Sequence, residues 1–389
     1  MRVVMLTYHF LPRIGGVEIA THQLATALVR LGVEVSVVAP QGPSGAQPLY
    51  RLIPLPRWRG VPRAWRAWAM LARLRRRYPF HILAAQMLYP AGYDACRFGQ
   101  WANIPVVVTP QGADIHVYEP LGYGLRLKPQ IERRIRWVLH RAAAVVVSNG
   151  VMYREVALLA PGTSSKMVFI PNGTMLDRFC RAEREALRRR FGVAPEEVVF
   201  ITVSRHSPVK GLPILLQAVR RLWRQRPQGW RVWIAGVATE HLRRELSDLP
   251  RVELLGESPV EYGEQGLPLQ PPTAIVHRLL AADVYVAPAL SGGFELSCAD
   301  ALAAGLPLIV CRTNGAQDIV RAHGVGLVVP PADPQAMQQA LYWMLHHPAE
   351  RQEMGQRARE VARSLDWQVL AQRYRELFTW VLQQRESDV

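Results

Sequence analysis

Short apolar runs alternate with helical stretches along this 389-residue chain, and the alternation starts over near its middle. Residues 2–7 read as a strand, Leu11-Pro-Arg-Ile-Gly-Gly16 as a loop, the stretch to Leu31 as a helix stopped at Gly32, and residues 34–38 as a second strand. A strand, a crossover helix and another strand in the same direction pair only if the helix lies on the sheet face, so the pattern demands a parallel sheet covered on both sides. Residues 106–109, 145–148 and 167–170 read as further strands, with a basic helix over 129–141, and Ile170-Pro-Asn-Gly173 marks a turn suited to a domain joint. A second series begins at 198–204. It continues through a helix over 211–226, strands at 230–235, 251–255, 283–288, 306–310 and 326–329, and a helix over 273–281. Such a length exceeds one ordinary core, and the predicted class is α/β with two doubly wound parallel-sheet domains. From Pro334 the helical period returns; Trp367, Leu370, Tyr374, Leu377 and Trp380 form a stripe read as a packing face, placed against the first domain. Residues 257–272 lack periodicity and read as an irregular loop near an interdomain cleft.

The net charge of +16 is placed unevenly. Residues 1–180 hold 22 Lys and Arg against 8 Asp and Glu, and no acidic residue occurs from Val35 to Tyr93. The first half is therefore built for an anionic partner such as phosphates or acidic lipid; without a recognised nucleic-acid module, charge alone argues weakly for nucleic acid, and none is predicted. Within it, residues 57–77 carry eight arginines and three tryptophans. A helix after Pro62 sets Trp65, Trp68, Leu71 and Ala72 on one side and Arg63, Arg66, Arg73 and Arg77 opposite. Either the tryptophans pack on the sheet, or the helix rests on anionic lipid with Arg63, Trp65, Arg66 and Trp68 in contact; the missing acids tilt the reading to the membrane. The apolar run at Val3–Leu6 is too short to span a bilayer, and Cys96, Cys180, Cys298 and Cys311 lack the spacing of disulfides or metal ligands. The reading is cytoplasmic, with peripheral attachment to the inner membrane face.

Residues 291–310 join a glycine-rich loop to a short helix and a buried strand. Glycines admit a ligand close to the backbone, the first helical amides favour an anion, and Asp300 can accept from sugar hydroxyls; an ordinary loop-helix-strand joint has the same composition. In Val203-Ser-Arg205-His-Ser-Pro-Val-Lys210-Gly211 two cations sit at a strand exit before a helix. An isolated pair of this kind is usually solvated surface charge. Gly15-Gly16 is equally a tight turn or a place of close approach, and Asp114 equally a helix cap or a binding group.

Taken in order, the Gly15-Gly16 loop, Thr109-Pro-Gln-Gly-Ala-Asp114, Ile170-Pro-Asn-Gly173, the Arg205–Lys210 loop and Gly292 to Pro307 resemble the retaining nucleotide-sugar glycosyltransferases of the two-Rossmann-domain GT-B fold, family four. The resemblance covers nearly the whole chain. It implies an acceptor-side domain over 1–175, a nucleotide-sugar domain over 176–365 facing it across a cleft, and a C-terminal helix over 366–389 packing back on the first. The implied activity moves a hexose-type sugar from a nucleotide-diphosphate sugar to a lipid-linked or saccharide acceptor in cell-envelope or polysaccharide synthesis. Arg205, Lys210 and Asp114 are the implied catalytic residues; Gly15, Gly16, Gln111, Gly292, Gly293, Phe294, Glu295, Leu296 and Asp300 the donor-binding ones. No Asp-x-Asp pair occurs, so no metal or other cofactor is expected, and Arg205, Lys210 and helix amides are left to hold the diphosphate. Two positions depart from the family pattern. Its paired glutamates fall on Gly292 and Asp300, with Glu295 three residues out of register, and Gln111 stands where many relatives carry histidine. A catalytically weakened sugar-nucleotide-binding or scaffolding protein of the same fold is the alternative.

Overall fold

The computed structural model describes residues 1–42, 45–180, 183–225, 227–263 and 265–387. Two compact units make up the chain, one of Met1–Asn172, Tyr262–Pro268 and Trp367–Val389, the other of Gly173–Glu261 and Leu269–Asp366.

In the first unit, seven strands form one sheet: β1 (Arg2–Leu6), β2 (Glu34–Ala39), β3 (Arg51–Pro54), β4 (Ile82–Gln86), β5 (Val106–Thr109), β6 (Ala144–Val147) and β7 (Met167–Phe169). Every pairing is parallel, in the order β3-β2-β1-β4-β5-β6-β7. The order reverses direction between β1 and β4, where the following loops diverge and leave a crevice beyond the strand ends. Strands β4, β5 and β6 are buried along their whole length, as a sheet covered by helices on both faces requires. The sequence reading missed β3 and β4. β3 is an exposed edge strand ending in proline, and two of the five residues of β4 are alanines, which carry little strand preference.

The second unit has six strands: β8 (Val198–Val203), β9 (Trp230–Ala235), β10 (Val252–Gly256), β11 (Val284–Ala287), β12 (Leu308–Cys311) and β13 (Gly326–Val329). They too are all parallel, in the order β10-β9-β8-β11-β12-β13, so the reversal falls between β8 and β11. Side chains of β9 alternate between two cores: Trp230, Val232 and Ile234 enter one, Trp233 and Ala235 the other. The chain is thus the expected α/β protein with two doubly wound parallel sheets. The helix predicted over 211–226 spans Leu212–Arg224, and Arg226 lies outside the described residues.

Helix Trp367–Ser387 packs against helix Gly16–Arg30 in the first unit. Leu370, Tyr374, Leu377, Phe378 and Val381 are buried, whereas Trp380 is 39% exposed, so the predicted stripe is rotated at its end toward Phe378 and Val381. Arg373 donates to the Phe169 carbonyl at 2.6 Å and ties the helix to the end of β7. The last two residues of the predicted 366–389 helix lie outside the described residues.

Candidate active site

In the second unit the loops after β8 and β11 meet. The chain leaves β8 and runs through Arg205 to a short turn at Pro208–Lys210, where Gly211 begins the next helix with φ +68°. A side chain at Gly211 would put its Cβ 2.0 Å from the Pro288 carbonyl oxygen, so glycine is needed both for the backbone turn and for its approach to the end of β11. Leu290 N–H donates to the Val209 carbonyl at 2.8 Å and fixes one loop on the other. The Lys210 ammonium consequently reaches the Glu295 carboxylate in a short ion pair, both groups being largely buried. Asn314, fully buried, donates from Nδ2 to the other Glu295 oxygen at 3.1 Å, while its Oδ1 accepts from Ala316 N–H at 2.8 Å. Arg205 is exposed; its carbonyl accepts from Ser204 Oγ at 3.0 Å, and its guanidinium makes no hydrogen bond or ion pair among the described residues.

Glu295 immediately precedes helix Leu296–Ala303, so its carboxylate, Lys210 and the first helical amides share one region. Tyr285 anchors this helix to the sheet, its hydroxyl lying 2.8 Å from Ser297 Oγ and 3.1 Å from the Val203 carbonyl. Asp300 lies one turn further along, with Oδ1 accepting from Thr174 Oγ1 at 2.7 Å. Burial pushes its carboxyl up to about 7, against the opposing pull of the Thr174 bond and of Arg178. Around Gly292 there is open space where a side chain would begin. Phe294 corrects one assignment: it is 2% exposed and belongs to the core, so its side chain is withdrawn from the loop surface. Leu296 opens the helix and has its amide, rather than its apolar side chain, to offer a ligand.

In the first unit, Gly15 precedes helix Gly16–Arg30, and no atom lies within 4 Å of a Cβ built on Gly16. A Cβ on Gly15 would meet Glu18 Oε2 at 2.6 Å; that buried carboxylate lies 3.9 Å from Arg13 and 4.0 Å from His9. After β5, Gln111 donates from Nε2 to Gln86 Oε1 at 2.7 Å, pairing side chains from the ends of β4 and β5. Asp114 requires the second correction. Fully buried, it accepts from the N–H groups of Leu88 (2.6 Å), Gln111 (2.9 Å) and Gly112 (3.0 Å). Its oxygens are used in closing the loop, and it positions Gln111 instead of meeting an acceptor.

The basic helix Arg63–Arg77 buries Ala67, Leu71 and Leu74. Trp65 is 67% exposed, but Trp68 packs on the core with its ring 5.6 Å from Phe98 and 5.8 Å from Trp101. Arg63 stacks over the Tyr8 ring at 4.1 Å, and Arg66 donates to the Pro56 carbonyl at 3.2 Å. Trp68 and Arg66 are therefore half-buried against protein, Arg63 is exposed but stacked on Tyr8, and Trp65 is exposed. Trp101, 63% exposed, adds an aromatic ring that the helix's own sequence does not reveal. No helix among the described residues is long and apolar enough to cross a membrane.

The sequence reading also missed Asn314, Thr174 and Gln86. Only Asn314 has a local signal, since Thr313-Asn-Gly315 follows a buried strand as a turn; the other two acquire their partners by tertiary approach.

Residues 14–178 match the family model described as Glycosyltransferase Family 4, and residues 183–361 match Glycosyl transferases group 1. Among curated proteins, a D-inositol 3-phosphate glycosyltransferase of Kineococcus radiotolerans is 26% identical over 100% of this chain and 97% of its own. Two solved structures share the fold. HepE (Alr3699) of Anabaena, in complex with UDP, has a TM-score of 0.78 at 17% identity, covering 97% of this chain and 100% of that one. Sucrose-phosphate synthase from Thermosynechococcus elongatus has a TM-score of 0.76 at 20% identity, covering 97% and 99%. With one glycosyltransferase model on each parallel-sheet unit, the chain belongs to the GT-B glycosyltransferases of the family-four type.

Proposed function

We propose that this glycosyltransferase moves a hexose-type sugar, with retention of anomeric configuration, from a nucleotide-diphosphate sugar to a lipid-linked or saccharide acceptor in cell-envelope or polysaccharide synthesis. The observation that carries the reading is the junction of Lys210, Glu295 and the helix at Leu296 beside the β8/β11 reversal. Parallel sheets bind ligands beyond the carboxyl ends of their strands at such a reversal, and cations with helix amides suit a diphosphate there. Arg205 and Lys210 are assigned to the diphosphate, the amides of Gly293 and Leu296 to its oxygens, and Asp300 to the ribose hydroxyls. The open space at Gly292 and the carboxylate of Glu295 face the donor sugar in this assignment.

In the transfer, the bond from the anomeric carbon to the phosphate oxygen breaks as the bond to the acceptor oxygen forms. The acceptor proton passes to the departing phosphate on the same face. Charge grows on that phosphate in the transition state, so fixed guanidinium and ammonium groups stabilise it more than the ground state. These residues supply the countercharge without assigning a metal or another cofactor. The UDP of the HepE complex makes UDP-sugars the first donors to test. Trp65 and Trp101, on the basic face of the first unit, are assigned to peripheral contact with anionic lipid near a lipid-linked acceptor.

Thermal stabilisation across nucleotide sugars, followed by mass spectrometry of products with saccharide and lipid-linked acceptors, tests the proposal. A stabilising donor that is transferred with its configuration retained is the expected result. Binding without hydrolysis or transfer would leave the weakened sugar-nucleotide-binding protein in its place.

A further inference from the structure

The opposite, amino edge of the second sheet carries a cavity of about 390 Å³. Asp283 stands immediately before β11 and Pro307 immediately before β12, so this cavity lies at the strand starts, away from the loops that hold Lys210 and Glu295. Arg184, Arg351 and Arg359 line it, and Arg188 reaches Asp283 from behind. Asp283 is already committed: Oδ1 pairs with Arg184 at 2.6 Å, and Oδ2 takes Arg188 at 2.9 Å and the Val199 N–H at 2.8 Å. Three guanidiniums and one carboxylate thus line the cavity, an excess of two positive charges in the lining, and Arg188 is a further cation bound to Asp283 behind it.

The first two arginines have a structural task, stapling helix Arg184–Arg190 to the start of β11. The other two do not share it. Arg351 donates to the Met344 carbonyl, and the Arg359 guanidinium makes no hydrogen bond or ion pair among the described residues. Arg359 lies over Gly305, where an added Cβ would come within 2.3 Å of its Nε. The helix carrying both approaches closely enough that a Cβ on Gly355 would meet the Gly305 carbonyl at 2.6 Å. Backbone glycines therefore admit the guanidiniums to the cavity. Dehydration of Arg184 and Arg351 makes an incoming anion a stronger partner than it would be in bulk water.

We propose that this cavity is a second anion site, which takes the phosphate group of a phosphorylated small molecule. Its volume falls in the range of small-ligand pockets, and planar guanidinium groups suit phosphate oxygens. The inference is independent of the donor-site assignment.

Calorimetry with inorganic pyrophosphate on the full chain tests it, using an Arg205→Ala/Lys210→Ala background to remove binding at the proposed donor site. One site should remain in that background. Arg359→Gln should weaken it at least about tenfold, as the loss of a charge-assisted contact implies. Gln352→Glu, which adds a negative charge at an exposed lining position, should also weaken it while leaving the melting temperature unchanged. Inorganic phosphate and glucose 6-phosphate, run in parallel, distinguish a bare anion from a phosphorylated sugar as the better ligand. Absence of binding in the background, or binding insensitive to both lining variants, would overturn the inference. If the background instead retains two sites and only one responds to the lining variants, this site stands and the donor-site assignment fails.

Discussion

Replacing Asp300 by asparagine separates the cost of burying a charge from what that charge does for a nucleotide. The carboxyl sits on helix Leu296–Ala303, accepts from Thr174 Oγ1 at 2.7 Å, and is pushed by burial up to about 7. An ordinary aspartate titrates near about 3.9. Between about pH 4 and 7 the folded protein therefore holds a proton that the unfolded chain has released, and stability falls as pH rises through that window. Raising the carboxyl from about 3.9 to about 7 corresponds to at most about 4 kcal/mol, less to the extent that solvent reaches the group. Asparagine keeps the acceptor for Thr174 and has no charge to bury, so the variant should melt no lower than wild type at about pH 8. Nucleotide binding should move the other way. If the ionised carboxylate receives the ribose hydroxyls, wild-type affinity for UDP should fall by about tenfold from about pH 8 to pH 6, as the ionised fraction drops to roughly one in ten. The variant should bind weakly and without that added slope. Calorimetry on both proteins isolates the effect, because the titration of UDP itself is common to them. Equal affinity in the two proteins, or parallel pH profiles, would refute the ribose assignment.

Arg205→Ala and Lys210→Ala should each lower turnover at least about tenfold, roughly 1.4 kcal/mol of barrier, with the fold retained; wild-type rates in both would remove them from the diphosphate. Asp114→Ala should destabilise the first unit by about 2–4 kcal/mol in denaturant titration, because three backbone N–H groups lose one buried acceptor. Unchanged stability would show that this carboxylate does not hold the loop. Trp68→Ser should lower the melting temperature, since its ring packs on Phe98 and Trp101, whereas Trp65→Ser should leave it nearly unchanged and reduce sedimentation with anionic vesicles. Vesicle binding that is undetectable in wild type would exclude the lipid contact.

Strand-helix alternation was sufficient to read two parallel sheets from the amino-acid sequence, because strands such as Val106–Thr109 are apolar throughout only when helices cover both faces. The basic bias of the first half and the glycine-rich loop before Leu296 were equally legible, being properties of composition and local turn chemistry. Strands β3 and β4 were not: an exposed edge and an alanine-rich segment become strands through the neighbours that pair with them. Asp114 shows the same limit at a candidate site. Its type suggested a group for substrate, but whether a carboxylate meets solvent or three backbone amides depends on the approach of Leu88, 26 residues away in sequence. Likewise the Lys210–Glu295 pair and the crowding of four arginines about Asp283 join residues far apart along the chain. Local pattern determines the periodic helices and the fully apolar strands such as Val106–Thr109. Burial, ion pairing and the charge of a cavity depend on distances through space, and those exist only once the sheets have been assembled.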